Sequence, residues 1–326
     1  MRILITGGAG FIGHHLVNHI LVNTDWDIVT LDKLTYASMG FDRLRDIKVF
    51  DSKRVHIFTA DFNQEIKDGL LSEIGKIDYI VHMGAETHVD NSIIDPEPFV
   101  ITNVLGTMRI LELARKICPK KMLYFSTDEV FGDATHGELF SEWDRYNSKN
   151  PYAATKAGGE ELCLAYANTY KVPVLISHTM NVFGERQHPE KFIPLTIKKV
   201  FTGDTVTIHS DPTQTISGSR FYIHARNVAS AVMFLMEKGK IRDKYNVVGE
   251  KEVSNLDMAR FIARCVGREL RYEMVDFHSS RPGHDLRYAL NGEKMKSMGW
   301  DLPINFEDSL RKTVEWSLEN KRWLNL

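Results

Sequence analysis

The sequence predicts an α/β protein, a doubly wound parallel sheet with a smaller mixed α/β domain beside it. Three observations predict it. Short apolar runs alternate with helix-length amphipathic segments through the first half, as βαβ units do. The first apolar run leads straight into the glycine-rich stretch GGAGFIG at 7–13. After about residue 180 the rhythm breaks into shorter elements, punctuated by Gly184, Pro189, Pro194, Gly203, Pro212, Gly218, Pro282 and Pro303.

Strands are expected at 2–6, 27–31, 54–59, 78–82, 121–126 and 173–178, each a short run rich in Val, Ile, Leu, Tyr and Phe. The first helix is expected over 14–22. Val104, Ile110, Leu111, Ala114 and Ile117 predict a helix over 99–118 that stops before Pro119. Asn150 and Pro151 read as an N-cap and a proline at the first helical position. Phe306, Leu310, Val314 and Leu318 fall on one face of a last helix over 306–319. In such a sheet, ligands bind beyond the carboxyl ends of the strands.

Composition narrows the function classes. The chain has 326 residues, 43% of them hydrophobic and 26% charged, a balance that buries a core and excludes a disordered or fibrous chain. Forty-one Lys and Arg against 43 Asp and Glu give a net charge of -2. This argues against nucleic-acid binding, which uses a basic excess or face. Any anionic ligand must be met by a few local cations. Cys118, Cys163 and Cys265 are odd in number and form no CxxC pair, which suits a reducing, cytoplasmic setting. Apolar runs fall far short of the ~20 residues of a membrane helix, and no membrane partner or signal peptide is expected. His15 and His19 have an i, i+4 spacing that zinc sites use, but no third ligand is evident. No metal is expected.

Gly7, Gly10 and Gly13 stand at the turn between the first strand and the first helix. Small residues there let the backbone approach a pyrophosphate, and the helix N-terminus offers it free N–H groups. Asp32 follows Gly13 at the end of the second strand. It is placed to accept hydrogen bonds from ribose hydroxyls and to repel a 2′-phosphate, which favours NAD over NADP. Asp61, just past the third strand, is a candidate for the adenine amino group.

Tyr152 and Lys156 share a helical face. A neighbouring ammonium and the positive helix end both favour phenolate, making Tyr152 a candidate base for a sugar or alcohol hydroxyl. The fifth strand ends in YFSTDEVFG. There Thr127 can hydrogen-bond a reacting hydroxyl, and Asp128 and Glu129 follow at once. Neighbouring side chains of an extended strand point to opposite faces, so both carboxyls serve one substrate only if the backbone leaves the strand at 127–129. Burial and mutual repulsion push the pKa values of two such groups apart, giving the acid and the base that elimination of water requires.

With these residues in hand, the chain resembles the extended short-chain dehydrogenase/reductase family, and within it the nucleotide-sugar 4,6-dehydratases such as those that act on dTDP-glucose. The resemblance covers nearly the whole chain. It is carried by TGGAGFIG at 6–13, LDKLTYAS at 31–38, AETHVDNSI at 85–93, STDEVFG at 126–132, YAATKAGGE at 152–160, RQHPEKFIP at 186–194, RPGHDLRYA at 281–289 and RKTVEWSLEN at 311–320. The Thr-Asp-Glu triplet separates it from simple 4-epimerases, which resemble it in Tyr and Lys.

The resemblance implies an NAD-binding Rossmann domain over 1–178, joined by part of 218–240, and a substrate-binding domain over 179–326. It adds Phe11, Ile12 and Lys33, with Tyr152 and Lys156, to the NAD contacts. It implies that Tyr152, tuned by Lys156 and Thr127, takes the C4 hydroxyl proton while hydride passes to NAD. Glu129 then removes the C5 proton, Asp128 protonates the departing C6 hydroxyl, and hydride returns to C6. Contacts to the nucleotide-diphosphate sugar map onto Arg220 and Arg281 for the diphosphate, and onto His88, Asn181 and Lys191 for sugar or nucleotide. The substrate half departs from the dTDP-glucose pattern at Phe221, Tyr222, Val182 and Phe183, so the base stays open among thymidine, uridine, guanosine and cytidine. Relatives also imply a homodimer. An epimerase or decarboxylase on the same scaffold, or a non-catalytic NAD-binding module, are the rival readings.

Overall fold

A computed structural model describes residues 1–277 and 285–326. Its centre is a seven-stranded sheet, parallel throughout. The strands are β1 (Arg2–Thr6), β2 (Asp27–Asp32), β3 (Val55–Thr59), β4 (Tyr79–His82), β5 (Lys121–Thr127), β6 (Val174–Thr179) and β7 (Lys244–Val247), in the order β7-β6-β5-β4-β1-β2-β3. The chain reverses direction across the sheet between β1 and β4, and that switch point opens a crevice at the strands' carboxyl ends.

The six expected strands are present, and β7 is a seventh. Its sequence KYNV hides its nature, because Lys244 and Asn246 are buried polar residues that break the apolar run. Helix α1 (Phe11–Asn23) packs on one face against the later helix Ala225–Lys238, around Ile3, Ile5, Leu16, Ile20 and Val232. A second apolar cluster includes Leu4, Ile80, Ile110, Leu111, Met122 and Cys163. It takes residues from α2 (Thr107–Ile117) and α3 (Pro151–Thr169).

The helix expected over 99–118 is a wide π-helical turn, Val100–Gly106, followed by α2. Such turns re-aim side chains. Here Asn103 accepts from the Glu86 N–H at 3.0 Å and donates to the Glu86 carbonyl and the Thr155 hydroxyl, each at 3.0 Å. Thr102 beside it enters the crevice.

Beyond β6, besides β7 and the helix Ala225–Lys238 of the main sheet, the chain builds short two-stranded pairs and further helices that include α4 (Phe192–Thr202), α5 (Asn255–Val266) and α6 (Phe306–Glu319). Phe183, Ile193, Ile197, Met258, Ile262 and Leu310 form its core. Among the described residues no helix is long and apolar enough to cross a membrane.

Candidate active site

One cavity at the carboxyl ends of β1, β4, β5 and β6 is lined by Gly7, Asp32, Thr127, Asp128, Glu129, Tyr152, Lys156 and Asn181, among others. At one end, Gly7 turns the chain with φ of 73°, a conformation costly for a residue with a Cβ. A Cβ on Gly13 would lie 2.1 Å from the Gly7 carbonyl oxygen, so the loop closes on α1 only with glycine there. Gly10 is the N-cap and makes no side-chain cap bond, which leaves the first N–H groups of α1 directed at the cavity. Asp32 is 8% exposed and accepts from Ala9 N at 3.1 Å and Leu34 N at 2.8 Å. Burial raises its pKa, against those two N–H groups. Phe11, Ile12 and Lys33 line the same end, and Lys33 donates to the Thr102 hydroxyl at 3.2 Å.

At the other end, β5 stops at Thr127 and the next residues, Asp128–Phe131, wind into a 3₁₀ turn. Leaving the strand is what lets two consecutive side chains face one cavity. Thr127 donates to Asp128 Oδ1 at 3.0 Å and accepts from Glu129 N at 3.3 Å. Asn150, the N-cap of α3, accepts from Ala153 N at 2.8 Å and reaches Glu129 Oε2 at 3.5 Å. Burial pushes Asp128 up to about 6, although Arg220 and Thr127 oppose it. Burial and then the Asp128 charge push Glu129 up to about 7. Asp128 Oδ2 has no hydrogen-bond partner among the described residues.

Tyr152 and Lys156 flank this turn from α3. Lys156 is 4% exposed, donates to the Phe125 carbonyl at 2.7 Å and has its pKa lowered to about 8 by burial. The phenol of Tyr152 departs from the expected lowering. Burial, then the Glu129 charge, holds its pKa above the ordinary value, with Thr127 opposing. The tyrosine is packed with Val89 and Phe99, and the charges that raise it are the carboxylates of Glu129 and Asp128.

The NAD dependent epimerase/dehydratase family model matches residues 3–248. The dTDP-glucose 4,6-dehydratase of Escherichia coli is 37% identical over 99% of this chain and 94% of its own length. The chain belongs to this family. The low-salt glycan biosynthesis protein Agl12 of Haloferax volcanii is 39% identical over 98% of this chain and 99% of its own. Among solved structures, DesIV, a dTDP-glucose 4,6-dehydratase of Streptomyces venezuelae with NAD and TYD bound, superposes with a TM-score of 0.88. It is 33% identical and covers 99% of this chain and 98% of its own.

NAD is the family's cofactor, and the glycine cradle fits it. A Cβ on Gly7, Gly10 or Gly13 would lie within 3.0 Å of neighbouring backbone, so glycine keeps the close approach open, and buried Asp32 closes the far end. Asp61 is exposed and its carboxyl accepts from Asn63 N at 2.9 Å, capping a turn next to Phe62, which does line the cavity.

The expected substrate residues are not all gathered by the cavity. Asn181 and Lys191 line it, and Asn181 Oδ1 is buried without a hydrogen-bond partner among the described residues. His88 caps the helix Val89–Ile94 and lies 3.8 Å from Glu190, while its neighbour Thr87 lines the wall. Arg220 is 8% exposed, donates to the carbonyls of Ser219, Leu286 and Asp285, and lies over the Tyr288 ring at 4.3 Å. Its charge acts on Asp128 and Glu129. Arg281 lies outside the described residues.

Arg43, Thr102 and Gln187 line the cavity without a signal in the sequence reading. Glu160 carries a signal in the sequence. It stands one turn after Lys156, at the same i, i+4 spacing as Tyr152 and Lys156.

Proposed function

We propose that Thr127, Asp128, Glu129, Tyr152 and Lys156 dehydrate an NDP-glucose at C5–C6, with dTDP-glucose the first candidate. The chain is an NAD-dependent hydro-lyase of the nucleotide-sugar 4,6-dehydratase type, like relatives that match it over its length. The observation that carries the reading is the pair of consecutive carboxyls, Asp128 and Glu129, facing one cavity beside Tyr152 and Lys156.

NAD, when bound, accepts a hydride from C4 and returns it to C6. Tyr152 takes the C4 hydroxyl proton, and Lys156 supplies the positive charge that favours the phenolate. Burial raises the tyrosine in the protein alone, so Lys156 and the substrate hydroxyl must offset that cost when the site is filled. The new C4 carbonyl acidifies C5–H, and Glu129 takes that proton. Asp128 gives a proton to the C6 hydroxyl, which leaves as water. Glu129 then returns its proton to C5, and the proton lost from the C4 hydroxyl recharges Asp128 through solvent. The net change is loss of one water.

Residues 1–178, joined by part of 218–240, hold the cofactor, and 179–326 hold the substrate through Asn181, Lys191, Arg220 and Arg281, with His88 reaching it from the first domain. The near-zero net charge supports a ligand met by these few cations, and not a nucleic acid. Exposed Ile94, Val100, Ile101 and Leu105 before α2 support a homodimer, and the three free cysteines suit the cytoplasm. Light scattering tests the dimer. Incubation with dTDP-, UDP-, GDP- and CDP-hexoses, read by mass spectrometry for loss of one water, tests the reaction and the base. A product that retains its 6-hydroxyl sinks it.

A further inference from the structure

Glu160 is completely buried, yet it carries the carboxylate on which four separate parts of the fold converge. Ser126 of β5 and Tyr146 of the preceding connection both donate to it. His178 Nε2 of β6 lies at 3.0 Å and Lys244 Nζ of β7 at 3.5 Å, and Lys244 also donates to the Tyr146 hydroxyl. The ring of His178 is held from its other side by Asn246 Oδ1 at 3.0 Å. A buried carboxylate is costly unless it is paired and hydrogen-bonded. Here burial alone would raise its pKa, and His178, Lys244 and Ser126 reverse that and hold it at about 2. Its partners therefore hold it ionised.

Its position matters more than its burial. Lys156 and Glu160 are neighbours on one face of α3, and they grip consecutive residues of β5. Lys156 binds the Phe125 carbonyl at 2.7 Å, and Glu160 takes the Ser126 hydroxyl. The next three residues are Thr127, Asp128 and Glu129. Lys156 is also surrounded by groups that decide its charge. Tyr124 of β5 lies under the ammonium at 4.3 Å, His82 of β4 feels its charge, and Glu160 and Cys163 stand on its own helix. Burial drives the lysine towards neutrality, and Glu160 is the largest influence against that.

We propose that Glu160 is a positioning residue of the reaction: its buried carboxylate is the counter-charge of Lys156 and the clamp on the strand end that carries Thr127, Asp128 and Glu129. It rests on the assignment of Lys156 to the oxidation step. Without Glu160, the unneutralised Lys244 adds its repulsion to the burial of Lys156, and the lysine loses its proton at lower pH. Tyr152 then lacks its cation in alkaline solution, while binding of the sugar nucleotide is left intact.

The test is Glu160→Gln, read in two ways. The first is the pH profile of kcat and KM with dTDP-glucose. The second is carbon-13 lysine NMR of the NAD-loaded protein without substrate, with the Lys156 signal assigned through Lys156→Arg. At an effective dielectric near 20 and a separation of one helical turn, losing the charge lowers the Lys156 titration by about 1–2 units. The alkaline limb of kcat, to which Lys156 contributes together with the Asp128 and Glu129 pair, is expected to move down, with KM little changed. If the variant fails to fold, Glu160→Gln combined with Lys244→Met removes both members of the buried pair, and its Lys156 signal and alkaline limb still move down for want of the carboxylate. A variant with lowered Tm but an unmoved Lys156 titration and alkaline limb overturns the proposal. Wild-type protein that converts no nucleotide sugar sinks the functional reading instead, and the NMR titration still decides the role of Glu160.

Discussion

Asp128 and Glu129 are consecutive in the chain, and both carboxyl groups line the same cavity. In an extended strand they would point to opposite faces. The 3₁₀ turn that starts at Asp128 removes that alternation, and the Thr127 hydroxyl spans its start by binding both residues. Separate roles predict separate defects. Asp128→Asn and Glu129→Gln should each slow elimination by about 10²- to 10⁴-fold, the usual worth of a general acid or base. Reduction of bound NAD on mixing with substrate, followed by its absorbance, should remain rapid. Equal loss of both partial reactions contradicts separate roles.

The pair should also set the pH profile. With Asp128 raised to about 6 and Glu129 to about 7, the two groups hold one proton between them around neutrality. Elimination uses the share of that state in which the proton sits on Asp128 and Glu129 is ionised, the minor share because Glu129 is the higher of the two. Activity should fall in acid as the second proton binds and in alkali as the last one leaves, a bell with its maximum between the two values. The kcat/KM profile of the wild type and of Glu129→Gln checks this, since the variant should lose the acid limb.

Catalytic strain appears in stability with a definite sign. A carboxyl raised in the folded state is ionised more easily in the unfolded chain, so stability falls as pH rises from about 4 through about 7. Glu160, lowered to about 2, acts in the opposite direction, and its contribution is lost only as pH falls below about 4.5 towards 2. Asp128→Asn and Glu129→Gln should therefore have a higher Tm than wild type at about pH 8, with the difference vanishing at about pH 4. Calorimetry at the two pH values measures it.

The cofactor loop makes a steric prediction. A methyl group on Gly13 would meet the Gly7 carbonyl oxygen at 2.1 Å, and backbone on both sides leaves little room to give. Gly13→Ala should cost about 1–3 kcal/mol of folding stability and at least about ten-fold in NAD affinity. Calorimetric titration with NAD and thermal melting separate the two effects.

At the far end of that loop, Asp32→Ala removes the acceptor for Ala9 N and Leu34 N and the charge that excludes a 2′-phosphate. NAD affinity should fall by about 10- to 100-fold, while the preference for NAD over NADP shrinks. Competition between the two nucleotides reads the ratio directly.

Much of this was legible in the chain because it depends on local pattern. β1 to β6, the glycine turn, the Asn150–Pro151 start of α3 and the last helix 306–319 all follow from periodicity and capping. The Thr127–Asp128–Glu129 triplet required a break in the strand, and the break is present. What was not legible depends on distant packing. Strand β7 is disguised by Lys244 and Asn246, which are polar because they serve the buried Glu160 and His178 network. The upward shift of Tyr152 comes from burial and carboxylates that only the fold brings close. Arg220 reads as a phosphate ligand in sequence, but the three backbone carbonyls that fix its guanidinium in the fold could not be read there.

In the proposed reaction one hydride leaves C4 and returns to C6 of the same sugar while Asp128 and Glu129 eliminate water. The most direct test supplies dTDP-glucose deuterated at C4 to the NAD-loaded protein and reads the product by mass spectrometry and NMR. Loss of one water, deuterium at C6 and no net consumption of NAD are expected. Deuterium accumulating in released NADH, or recovered at C4 of a product that keeps its 6-hydroxyl, would contradict that reaction.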